Sequence, residues 1–66
     1  MSPKYPQVTV HLTDLDGNAF AILARCRRAA EIAHLSPDQI DQFLTEATEG
    51  DYDHLLQTAM RWFEIT

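Results

Sequence analysis

Val8, Val10 and Leu12 alternate with Thr9, His11 and Thr13. Apolar and polar positions with a period of two, β-branched for the most part, predict a strand with one buried face. Asp14-Leu15-Asp16-Gly17-Asn18 then concentrates turn formers, with Gly17 free to take positive φ and Asp or Asn side chains able to cap the next element. From Ala19 the period becomes helical, because Ile22, Cys26, Ala29, Ala30 and Ala33 fall on one face while Arg28 and Glu31 point away. That face is built of small residues, so a neighbouring element can approach its backbone closely. The helix is expected to end near Leu35.

Ser36-Pro37-Asp38-Gln39 is a strong helix start. Ser36 serves as N-cap, Pro37 occupies the first position, where a missing N–H costs nothing, and Gln39 completes a capping box. Ile40, Phe43, Leu44 and Ala47 then follow the i, i+3, i+4, i+7 spacing, and Gly50 is expected to stop the helix in the left-handed conformation, giving a second helix over 37–49. Asp51 caps a third, with Asp53 in its first turn and an apolar stripe of Tyr52, Leu55, Leu56, Ala59, Met60 and Phe63. Arg61 to Thr66 also reads with period two, presenting Phe63 and Ile65 to one side. A lone N-terminal strand needs a partner for its N–H and C=O groups, and this segment is the other candidate. The expected fold is therefore α+β and mainly helical, β-α-α-α-β, with three helices packed on a small two-stranded sheet. Residues 1–66 read as one domain, with 1–7 a flexible N-terminal arm.

Charge is unevenly spread. Residues 1–35 hold four bases and three acids, while 36–66 hold Arg61 against seven acids, for a net charge of −5. Between Arg28 and Arg61 there is no Lys or Arg, so a surface built on phosphate neutralisation could not use that stretch and direct nucleic-acid binding is disfavoured. No run of apolar residues has the length of a signal peptide or a membrane span, which points to a cytoplasmic chain without membrane contact. The single cysteine, Cys26, lies on the apolar face of the first helix and is expected to be a buried hydrophobe rather than a nucleophile.

Candidate chemistry is sparse. Aligning Gly17 with the glycine of a calcium loop puts Leu12 and Leu23 where ligands belong, so the acidic turn reads as a turn and cap. The densest polar cluster is Asp51, Asp53 and His54, where carboxylates stand beside an imidazole; helix capping accounts for both aspartates, and no metal or cofactor is expected. Asp38, Asp41, Glu46 and Glu49 form an acidic face that, with Asp51 and Asp53, is able to imitate a row of phosphates. Arg25, Arg27 and Arg28 are the basic concentration, pointing in different directions around one helical turn.

At Asp16-Gly17-Asn18-Ala19-Phe20-Ala21-Ile22-Leu23, and again at Glu46-Ala47-Thr48-Glu49-Gly50-Asp51-Tyr52-Asp53-His54-Leu55-Leu56, the chain resembles a family of short uncharacterised bacterial and mobile-element proteins. The resemblance covers most of residues 8–65 and implies a free-standing domain of this length. It brings no activity, cofactor or partner with it. The residues themselves favour a small non-catalytic interaction or adaptor domain acting through a surface, since so short a chain is not expected to enclose a ligand cavity of about 300 Å³ or more. The alternative is an acidic inhibitor that blocks a basic nucleic-acid site. A homodimer is expected, because two short strands leave open edges and Trp62, Tyr5 and Phe20 have no evident place within one copy.

Overall fold

The computed structural model describes residues 2–12 and 18–66. The turn predicted over Asp14-Leu15-Asp16-Gly17 lies outside them. Strand β1 (Tyr5–Val10) is followed by helices α1 (Ala19–Ile32), α2 (Pro37–Ala47) and α3 (Tyr52–Trp62), then by strand β2 (Phe63–Ile65). The two strands pair in parallel, and the three helices form the crossover between them. This is the β-α-α-α-β order expected from the periodicities.

The sheet reaches past the named strands. Thr66 N–H donates to the Val10 carbonyl at 2.9 Å, Leu12 N–H to the Thr66 carbonyl at 3.2 Å, and Lys4 N–H to the Arg61 carbonyl at 2.8 Å. The register slips between Tyr5 and Thr9. Pro6 and Gln7 are both exposed there, so alternation skips one position, and Tyr5 turns inward on the same side as Val8 and Val10. Pro6 has no N–H to donate, which suits it to such an irregularity. Tyr5, Pro6 and Gln7, assigned by the sequence pattern to an N-terminal arm, thus belong to β1.

One face of the sheet supplies Val8, Val10 and Phe63 to the core; the helices supply Ile22, Cys26, Ala30, Ile40, Phe43, Ala47, Leu55, Ala59 and Trp62. The stripe of α3 runs through Leu55, Thr58, Ala59 and Trp62. Tyr52 and Met60, expected on that stripe, are 40% and 62% exposed. Thr58 is buried in their stead, its hydroxyl satisfied by donating to the His54 carbonyl at 2.8 Å.

Helix ends follow local chemistry. Asn18 caps α1 by accepting from Phe20 N–H at 2.9 Å, and the Ser36–Gln39 capping box of α2 is formed in both directions. Helix α1 stops earlier than expected, at Ile32, through a Schellman motif: Leu35 N–H donates to the Ala30 carbonyl and His34 N–H to the Glu31 carbonyl, each at 3.0 Å. The left-handed residue of that motif is His34, at φ 66°. Helix α2 ends at Ala47, two residues before the expected boundary. Gly50 does not take the left-handed conformation expected of it; a Cβ there would lie 2.8 Å from Cγ of His54, so glycine is required for space.

Candidate functional site

The polar cluster at the start of α3 is used by the fold. The Asp51 carboxylate accepts from His54 N–H at 2.9 Å, closing the N-cap, and Asp53 accepts from Gln57 Nε2 at 3.2 Å along the helix. The His54 ring turns back toward the C-terminus of α2, where Nε2 donates to the Glu46 carbonyl at 2.8 Å, which also accepts from Glu49 N–H at 3.3 Å. Its close approach is what the missing Cβ of Gly50 permits. Asp51, Asp53 and His54 are therefore aimed at three different partners and do not converge as an acid–base pair. Among the described residues no group of three or more His, Cys, Asp or Glu side chains could hold a metal ion.

Of the aromatics expected at an interface, Trp62 and Tyr5 are placed differently. Trp62 is 5% exposed, with the rings of Tyr5, Phe43 and Phe63 centred 5.5, 5.6 and 6.2 Å away. Lys4 Nζ stands 4.2 Å from the Trp62 ring centre, a cation on its face. The indole Nε1 donates to Glu46 Oε2 at 2.5 Å, giving the buried ring the polar partner it needs. Tyr5 is half-buried and its hydroxyl accepts from Gln39 Nε2 at 3.3 Å. Both rings are filled places in this molecule's own core. Phe20 alone of the three is open, at 82% exposure.

The acidic face is also divided. The other oxygen of Glu46 lies 3.6 Å from Arg61 Nη2, so this carboxylate is bound to α3 on both oxygens. Asp38, Asp41 and Glu49 remain exposed. On α1, Arg25, Arg27 and Arg28 are exposed, and Arg27 lies 3.5 Å from Glu31 in an i, i+4 pair. Cys26 is fully buried between them and the core, and burial pushes its thiol up to about 12. A thiol so placed is not a nucleophile at neutral pH.

A feature the periodicities did not reveal is an open groove of about 610 Å³ between the C-terminal half of α1, the α1–α2 connection and the first turns of α2. Leu35, Pro37, Ile40 and Leu44 form its apolar lining; Arg27, Glu31, His34 and Asp41 form its polar lining. Across α1 it adjoins a shallow depression lined by Ala24, Arg27, Arg28 and Glu31. Across α2 it adjoins another, lined by Asp41, Gln42, Thr45, Glu46 and Glu49. A channel of mixed apolar and polar lining thus separates a bank holding Arg27, Arg28 and Glu31 from one holding Asp41, Glu46 and Glu49. One signal for it was present: the short Leu35-Ser36-Pro37 connection carries apolar residues where a solvated link would be polar. The chain has no match among family models, curated proteins or solved structures.

Proposed function

We propose that this chain is a small non-catalytic interaction domain whose working surface is the α1–α2 groove. The observation that carries the reading is the placement of apolar side chains at an open surface between two banks of opposite charge. The polar groups that sequence patterns would nominate for chemistry are instead engaged in helix caps and core hydrogen bonds. A cytoplasmic setting is part of the proposal, in keeping with one buried thiol and described helices too short or too polar to cross a membrane.

The test is affinity capture from the native cell with the intact chain and with Leu44→Lys, read by mass spectrometry at two salt concentrations. Leu44 is half-buried at the groove, so a lysine can extend outward while its charge enters the apolar channel. Capture that Leu44→Lys abolishes supports the reading. Capture indifferent to Leu44→Lys but lost in moderate salt and on neutralising Asp38, Asp41 and Glu49 would replace it with the acidic-inhibitor reading.

A further inference from the structure

We infer that the occupant of the α1–α2 groove is a second copy of this chain, seated about a twofold axis that passes through the groove. The inference rests on the groove being the working surface and identifies its partner. On α1, Arg27, Arg28 and Glu31 line the depression beside the groove; Arg27 is paired with Glu31 at 3.5 Å, so Arg28 gives the bank its net positive charge, and Ile32, 67% exposed, continues the i, i+4, i+8 row begun by Ala24 and Arg28. On the opposite side, Asp41 and Thr45 of α2, with Glu49 just past its C-terminus, form the matching row. The surface is therefore unequal in charge: net positive through Arg28 on one bank, negative through Asp41 and Glu49 on the other, with Leu35, Pro37, Ile40 and Leu44 among the residues between.

A twofold axis exchanges the banks. It sets the α1 bank of each copy against the α2 bank of the other, so every juxtaposition of arginine with carboxylate is made twice, while the apolar linings meet near the axis. Nucleic acid and anionic membrane would meet the carboxylate bank with like charge, and a uniformly basic partner would meet Arg27 and Arg28. A second copy needs no further assumption to carry the reversed pattern.

The area is modest. Helix α1 has 14 residues and α2 has 11, about 20 Å and 16 Å of length, so the paired face falls in the range of weak and transient interfaces, below about 1,200 Å² in total. Association in the micromolar range follows, together with sensitivity to salt from the flanking charges.

Sedimentation equilibrium from about 10 μM to about 1 mM should show the mass rising from 7.5 kDa toward twice that value. Reversing the basic bank, Arg27→Glu with Arg28→Glu, should hold the protein at monomer mass, and so should reversing the acidic bank, Asp41→Lys with Glu49→Lys. Mixing the two reversed proteins should restore the doubled mass, because each then offers the other complementary charge on both banks. Circular dichroism melts of each variant establish that they are folded before they are weighed. A wild-type mass constant across the range, a dimer indifferent to both reversals, or an equimolar mixture that stays monomeric would each overturn the inference. The first leaves the broader interaction reading to the capture experiment with Leu44→Lys, so the two can fail separately.

Discussion

At the scale of single residues, two positions carry constraints that their side-chain types do not announce. His34 holds the left-handed place in the Schellman motif that ends α1, a place where a Cβ is costly and glycine is not. His34→Gly should therefore stabilise the protein by about 0.5–1 kcal/mol, and His34→Val should destabilise it by more than that. Thermal melts of the two variants would show opposite shifts; a lower melting temperature for the glycine variant would mean that the imidazole contributes more than the strain it tolerates. Gly50 is the converse. Its place at a helix end suggests a left-handed stop, yet what it provides is room for the His54 ring, whose Cγ would sit 2.8 Å from an added Cβ. Gly50→Ala should cost about 1–2 kcal/mol, and the cost should shrink when His54 is also alanine. A penalty that persists unchanged in the double variant would return the explanation to the backbone.

Cys26 permits a prediction in pH. Burial raises its thiol from an ordinary 9.0 to about 12. Between those values an unfolded chain releases the proton and the folded chain retains it, so stability present below pH 9.0 is lost as the pH rises toward about 12. The stability difference between wild type and Cys26→Ala, measured by urea unfolding, should move against wild type across that window. Parallel curves would show that the thiol titrates freely in the folded protein. Its burial was legible from the small-residue face of α1, and the zero exposure of Cys26 bears that out.

At the scale of elements, helix starts were readable because capping is local: Ser36 and Asp51 satisfy orphan N–H groups within three residues of themselves. Trp62 was not readable, because what makes its burial tolerable is the Glu46 carboxylate sixteen residues away. Tyr5 was hidden by the slip at Pro6 and Gln7, which changes which side of the strand an odd-numbered residue faces. The helix stripe of α3 was shifted for a similar reason, since Thr58 is admitted to the core only by the back-bond of its hydroxyl to the preceding turn. These placements give Trp62 a structural task, so Trp62→Ala should cost about 3–5 kcal/mol of monomer stability, close to the whole stability of a domain this small. Trp62→Phe should retain most of the packing and lose the Glu46 hydrogen bond, about 1–2 kcal/mol. Chemical denaturation would separate them; equal and small effects would place the indole outside the core.

At the scale of the molecule, the order of elements followed from periodicity and from the need of β1 for a partner. The two strands run parallel with three helices between them in the chain. What periodicity could not supply is how far apart two helices stand once packed, and the groove is a property of that spacing. It forms where the chain passes from α1 to α2 through Leu35 and Pro37, and its two banks are the outward rows of those helices. The sequence placed the charges but not the channel between them. Whether this groove meets its counterpart on a second copy is read by an isotope-filtered nuclear Overhauser experiment on a mixed sample of labelled and unlabelled chain. Intermolecular cross-peaks are expected from the methyls of Leu35 and Leu44, with others linking Ile32 to α2 of the partner. Cross-peaks confined to Phe20, Tyr52 or Met60, or none at millimolar concentration, would contradict that pairing of grooves.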